Sequence, residues 1–147
     1  MTIKELKLGL MELMQTKFPK SKYKYYSMAV VENYGRPCFF TQIKPIDEKP
    51  ENYNSRYHQL VFYITYFQKK ADESEALDMI QELEDLFGMC VKIGDQSVNV
   101  MSFDWNYVGT DRNVPEIAIE LQYLTKIERK ETAPIMEQVI LKKEMEE

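Results

Sequence analysis

The single histidine, His58, is the first residue to consider for chemistry, because hydrolytic triads and zinc sites normally include a histidine. It stands near the start of a predicted strand, and its sequence neighbours do not form a ligand set. A half-buried, hydrogen-bonded strand residue is the commoner use of a lone histidine, and a catalytic or metal-binding role is the alternative. We therefore name no catalytic residue and no metal ligand from the sequence.

The other residues that could take part in catalysis or ligand binding are equally isolated in the sequence. Cys38 and Cys90 are far apart and form no CxxC pattern, so each is expected to be a small, apolar residue in a reducing compartment. The five glycines are too dispersed to build a phosphate-binding loop. We therefore predict that the protein uses no cofactor.

Charge is segregated along the chain. One predicted helix carries seven carboxylates: Asp72, Glu73, Glu75, Asp78, Glu82, Glu84 and Asp85. Residues 4–24 carry six lysines: Lys4, Lys7, Lys17, Lys20, Lys22 and Lys24. Two solvated faces would explain this pattern, and so would a head-to-tail contact in which the basic patch of one subunit meets the acidic helix of the next.

For that contact we single out two sets of residues. The interface lysines are Lys20, Lys22 and Lys24. The helix carboxylates are Asp78, Glu82 and Asp85. Because a head-to-tail contact uses two different surfaces, repeating it can close a ring of copies.

Length and composition set the scale of the protein. The chain has 147 residues, of which 44% are hydrophobic and 29% charged, and its formal net charge is −5. These values fit one domain, residues 1–147, and argue against non-specific binding to nucleic acid or to an anionic membrane. The N-terminal segment mixes lysine and glutamate with its apolar residues, so we expect neither a signal peptide nor a membrane span.

The first half of the chain predicts one helix and three strands. Apolar spacing predicts a helix over residues 3–17, opened by Thr2 and Glu5 as a capping box. Strands are predicted at Tyr26–Val31, at residues 38–43 and at Tyr57–Phe67. Pro45, Pro50 and the polar residues up to Ser55 predict a mobile loop between the last two strands.

The second half predicts a helix followed by a hairpin. Asp72 is the expected N-cap of the helix, with Glu75 at the capping-box position, and Gly88 is its expected end. Two strands, Val98–Val108 and Ile117–Ile127, follow, and the apolar parity of the first changes between Val100 and Met101. A bulge or a change of neighbours would explain that change.

These elements predict an α+β fold, in which two helices cover a mostly antiparallel sheet in a single domain. Residues 128–147 are expected to form a C-terminal tail, either a short helix or, as we prefer, a strand or extended segment. No repeat or linker divides the chain.

A sequence string then provides a more specific indication. Gly35-Arg-Pro-Cys-Phe-Phe follows the first helix and strand, and a polar spacer comes next. The spacer is followed by a strand ending Ile64-Thr-Tyr-Phe, an acidic helix ending Leu83-Glu-Asp-Leu-Phe, an aromatic hairpin and a Pro-Ile-Met-Glu-Gln tail. In this order, over nearly the whole chain, these features resemble the tail terminator proteins of bacteriophages and prophages.

The resemblance implies a non-enzymatic assembly protein of the virion tail, made in the cytoplasm of the bacterial host. Such a protein would form a homo-oligomeric ring, expected to be a hexamer, on the last ring of a tail tube. It would stop tube growth and offer a surface to a head–tail connector protein. DNA would only pass through the lumen, with no specific binding, and the negative net charge agrees with that expectation.

Within the motif, Gly35 and Pro37 are expected to be turn and strand-entry residues. Arg36 is our preferred single interface residue, because its guanidinium precedes an apolar strand and can pair with a carboxylate within the monomer or across a subunit boundary.

Two further functions stay open at this point. The chain resembles in size other head–tail joining components, such as a stopper or a minor capsid protein. It could also be an unrelated domain that binds a small ligand or a peptide, with the sheet face or the Lys44–Tyr57 loop as the site.

Overall fold

The computed structural model describes residues 1–27 and 35–126 of the chain. The first helix, α1, spans Ile3–Lys17, as predicted. The Glu5 backbone N–H donates to Thr2 Oγ1 and the Thr2 backbone N–H donates to a Glu5 carboxylate oxygen, both at 3.1 Å, which confirms the capping box. Leu6, Leu10 and Met14 recur at helical spacing and bury one face of α1 against the sheet.

The second helix, α2, spans Glu73–Phe87 and ends at Gly88, which has a positive φ of 59°. The Asp72 side chain accepts from the Ser74 backbone N–H and caps the first turn. Glu75 stands at the capping-box position, but its carboxylate accepts a hydrogen bond from the Tyr66 hydroxyl at 2.6 Å. The start of the helix is therefore attached to the sheet through Glu75.

Six strands form one sheet in the spatial order β1-β2-β3-β6-β5-β4. Their bounds are β1 Lys24–Tyr26, β2 Cys38–Asn52, β3 Ser55–Phe67, β4 Cys90–Ile93, β5 Gln96–Val108 and β6 Val114–Lys126. The β1–β2 pair is parallel and every other pair is antiparallel. The predicted α+β fold, a mostly antiparallel sheet with two helices, is confirmed.

The predicted loop between Pro45 and Ser55 is wrong. β2 continues through Pro45 and Pro50 to Asn52 and pairs with β3 along its whole length. Beyond Phe40, no described strand pairs with the outer edge of β2, and irregularities in pairing follow both prolines. Proline lacks the N–H that a central strand needs, so an edge strand with bulges accommodates both residues.

The core lies between the helices and one face of the sheet. Alternate residues of the two central strands fill it: Leu60, Phe62, Ile64 and Tyr66 of β3, and Ile117, Ile119, Leu121 and Tyr123 of β6. The pairing of β5 with β6 shifts between Val100 and Ser102, which confirms the bulge as the cause of the parity change. The short strand β4 had no prediction.

Two predictions fall outside the described residues. The strand predicted over Tyr26–Val31 coincides with β1 at Tyr26 only, and residues 28–31 are not described. The tail at 128–147 is not described either.

Candidate interaction surface

His58 lies on the helix-covered face of β3, where side chains from two neighbouring strands bind both ring nitrogens. Its Nδ1 is 2.9 Å from the Glu48 carboxylate on β2, and its Nε2 is 2.8 Å from Thr125 Oγ1 on β6. The ring stacks on Tyr123, with 4.6 Å between ring centroids. The imidazole therefore links three strands near the β2–β3 turn, with its side chain only 12% exposed.

Among the residues that the structure describes, the cysteines and carboxylates form no recognisable reaction centre. Cys38 is buried in β2, and burial raises the pKa of its thiol to about 11, so the thiolate is scarce at neutral pH. Cys90 is exposed at the start of β4. Within residues 1–27 and 35–126, no group of three or more His, Cys, Asp and Glu side chains is placed to hold a metal ion.

Arg36 stands at the entry to β2 and contacts the end of β3 in its own chain. Its Nη1 donates to the Gln68 backbone carbonyl at 3.4 Å, and its guanidinium lies 5.3 Å from the centroid of the Phe67 ring. Gln68 in turn bonds the backbone of Asp72, the cap of α2. Arg36 therefore braces the link between sheet and helix, and its role between subunits stays a prediction.

The interface lysines lie at the β1 edge of the sheet. In the part of the chain that the structure describes, none of them forms an ion pair. The Lys22 ammonium lies 5.6 Å from the centroid of the Tyr23 ring. The charge of this edge is thus presented to the surroundings.

The helix carboxylates are exposed on α2. Asp85 accepts a hydrogen bond from Gln81, one turn earlier, at 3.0 Å. The Glu82 backbone carbonyl accepts from the Lys17 ammonium at 3.3 Å, so one lysine of the basic region is used within the chain. The structure therefore keeps the interface lysines and the helix carboxylates as separate charged surfaces.

An exposed apolar surface beside α2 was not predicted from the sequence. We call it the β5 flank, and it consists of Leu77, Met89, Met101 and Trp105. Met89 and Met101 are neighbours, because the Val100 backbone N–H donates to the Met89 carbonyl at 2.9 Å. Tyr107, two residues beyond Trp105, lines a cavity with Glu73 and Ala76 of α2. The N-terminal half of the helix, where Leu77 lies, is therefore beside this end of β5.

The sequence did contain a signal for this surface. Met101, Phe103, Trp105 and Tyr107 alternate along β5 and indicate one apolar side of the strand, where we had inferred only a bulge or a change of neighbours. Phe103 does pack against the core, but Trp105 stays 42% exposed. The alternation identifies the side of the strand and carries no information on how far the helices cover it.

The sheet face opposite the helices holds a shallow depression of about 660 Å³. Its lining includes Phe40, Tyr63, Phe67, Lys44 and Glu116. Because sites for small ligands usually enclose most of the ligand, an open depression is weaker support for small-molecule binding than a closed cavity. The ligand-binding alternative therefore stays a prediction.

None of the described helices combines the length and the apolar character needed to cross a membrane.

Comparisons with known proteins add independent information. No curated protein matches the sequence. Twenty chains among the solved structures match the fold. One of them is 10% identical, with a TM-score of 0.53, and the match covers 88% of this chain and 99% of that chain. At this identity the likeness shows a shared fold alone.

A family model described as "Phage tail terminator protein" matches residues 5–133. The match includes α1 from Glu5 onwards, all of α2 and all six strands. It also agrees with the resemblance carried by the Gly35-Arg-Pro-Cys-Phe-Phe string. The chain therefore belongs to the phage tail terminator family, a family of structural proteins of the virion tail.

Proposed function

We propose that this protein ends a phage tail tube. Copies of the chain form a ring on the last ring of tube subunits, stop further addition of the tube protein and present the surface to which a head–tail connector binds. The observation that carries this proposal is the family match over residues 5–133.

A ring of this kind needs two different contact surfaces on each copy, and the charge distribution supports such a pair. The interface lysines lie at the β1 edge of the sheet, and the helix carboxylates lie on α2. A head-to-tail contact between the lysines of one copy and the carboxylates of the next leaves the same two surfaces free at each end, so it repeats until the circle closes. We expect six copies.

The remaining parts of the proposal concern the partners. One face of the ring binds the tube protein and the opposite face binds the connector, so the work is done by surface complementarity and requires no reaction. The protein is made in the host cytoplasm. DNA passes through the lumen, and the net charge of −5 per chain disfavours its adhesion.

The test is to delete the gene and image the particles by electron microscopy. Loss of a terminator gives tails of uncontrolled length without heads, and the wild-type gene supplied in trans restores normal length. Tails of normal length without heads would instead indicate a stopper or another joining component. Complete particles with normal tails would contradict any role at the junction.

A further inference from the structure

We propose that the β5 flank binds a second copy of this chain, with Trp105 as the central contact and the partner's interface lysines packed against it. This inference rests on the proposed ring and specifies the chemistry of its subunit contact. The four observations that support it are the exposed apolar side chains, the open edge of β5, the charge beside it and the position of the lysines.

The flank offers apolar area that is already ordered. Met89 is 88% exposed, Met101 is 55% exposed and Trp105 is 42% exposed. The Trp105 ring is held edge-to-face by Tyr107, with 5.3 Å between centroids and 88° between ring planes. A side chain that is fixed before binding loses little conformational entropy on binding, and tryptophan is enriched among the residues that dominate interfaces.

The strand that carries this surface has an open edge. β4 pairs only with Gln96–Asn99 of β5, and one further bond joins Val100 to Met89. From Met101 to Val108, no strand among the described residues pairs with the outer edge. Open edges in soluble proteins are usually covered or protected by charged residues, especially lysine. This edge carries no lysine and a single charged residue, Asp104, together with Met101 and Trp105. A covered edge in the assembled protein would explain that composition.

The charge beside the flank defines the partner. α2 contains no lysine or arginine. Glu73 and Glu84 share the face of the helix that carries Leu77, because they lie four residues before it and seven after it. Glu73 and Glu84 therefore border the apolar strip. Arg112 lines the same cavity as Glu73 and Tyr107 at one end, and the excess of carboxylates along α2 favours a partner surface that combines positive charge with apolar length. A lysine has both, since its methylene stem covers an aromatic ring and its ammonium is attracted to the ring face.

The lysines must come from another copy. β1 and β5 are separated in the sheet by β2, β3 and β6. With a spacing of about 4.8 Å between strands, the two strands are roughly 19 Å apart, which no lysine side chain spans. The intrachain bond from Lys17 ends at the Glu82 backbone carbonyl, and Lys17 is not one of the interface lysines. The interface lysines of one copy can therefore meet the β5 flank only on its neighbour.

The position of the contact can be read by photo-crosslinking. Residue 105 is replaced by p-benzoylphenylalanine in the full chain, and both assembled particles and the purified protein are irradiated, with isotope-labelled and unlabelled chains mixed. We expect mass spectrometry to find crosslinks between copies, from residue 105 to the segment with the interface lysines. Crosslinks to the tube or connector protein, to another segment of the chain, or to nothing would overturn the inference.

Two alanine variants measure the strength of the contact. Trp105→Ala is expected to weaken self-association at least about 30-fold, the loss typical of a central tryptophan. Leu8→Ala is the matched control, because Leu8 is exposed to a similar degree, 53%, and lies on α1. The control should change association by no more than about threefold. Equal effects of the two variants, with circular dichroism showing both folded, would contradict the assignment.

The gene deletion separates this inference from the proposed function. If the deletion gives overlong, headless tails while residue 105 crosslinks elsewhere, the protein is a terminator whose subunits meet through another surface. If the deletion leaves the tails unchanged, the proposed function fails whatever residue 105 contacts.

Discussion

The hydrogen bond between Tyr66 and Glu75 fixes the acidic helix on the sheet, and removing it gives a quantitative prediction. Tyr66 is 1% exposed, its hydroxyl donates to the Glu75 carboxylate at 2.6 Å, and its ring packs on Phe39 with 5.1 Å between centroids. Tyr66→Phe keeps the ring and deletes the donor. A hydrogen bond to a charged group contributes about 1.5–3 kcal/mol. Because Glu75 is exposed and water can replace the donor, we expect a loss of about 1–2 kcal/mol at pH 7.

The free energy of unfolding lost in Tyr66→Phe should depend on pH, and the pKa of the Tyr66 hydroxyl determines the direction of that dependence. Burial first, and then the hydrogen bond and charge of Glu75, raise the pKa of the Tyr66 hydroxyl. As the pH rises, the Tyr66 hydroxyl therefore loses its proton at a lower pH in the unfolded chain than in the folded protein. Below about pH 10, the unfolded value, the contribution is fully present, and above it the wild-type protein loses about 1.4 kcal/mol per pH unit. The Tyr66→Phe variant has no hydroxyl at this position and does not lose this stability. The difference in free energy of unfolding between wild type and variant should therefore vanish near pH 11.

Urea unfolding followed by far-UV circular dichroism at pH 7, 9, 10 and 11 checks this prediction. Burial also raises the pKa of Tyr25 and Tyr123, but these residues are present in both proteins and cancel in the difference. Glu75→Gln is the matched control, since an amide oxygen still accepts the bond and the loss should be smaller than in Tyr66→Phe. A difference between wild type and Tyr66→Phe that is constant or grows above pH 10 would refute the reasoning.

Three further predictions follow from the structure. A Cβ added at Gly9 would lie 2.3 Å from Ile93 Cγ2, so Gly9→Ala should lower the free energy of unfolding by about 1–2 kcal/mol in urea titrations, and Gly9→Ala with Ile93→Ala should recover part of it. With Ellman's reagent at pH 8, Cys90 should react in the folded protein and Cys38 only after unfolding; rapid reaction of both would contradict the burial of Cys38. Replacing the interface lysines by glutamate should weaken self-association measured by sedimentation, and replacing the helix carboxylates by lysine in the same chain should restore it. Absence of rescue would leave the charges without a role in the contact.

The helices could be predicted almost to the residue because their ends are chemically marked. Thr2 and Glu5 begin α1, while Asp72 and Gly88 enclose α2, and each of these residues acts through its nearest backbone neighbours. β3 and β6 were also predictable, since alternate residues of each strand are buried, Leu60 to Tyr66 in β3 and Ile117 to Tyr123 in β6.

The errors came from features that depend on distant parts of the chain. Pro45 and Pro50 indicate a loop when read alone, and only the sheet order shows that they lie on an edge strand. β4 has four residues and is recognisable through its partner rather than through its own pattern. Trp105 is apolar in sequence whether or not a helix covers it, so its exposure emerged only from the packed structure.

The proposed function places a ring of this chain at the head-proximal end of the tail. Electron microscopy of intact particles, with a compact tag fused to the chain and averaged images of tagged and untagged virions compared, tests it directly. We expect extra density in one ring at the head-proximal end of the tube. Extra density along the tube, at the distal tip or nowhere in the particle would contradict it.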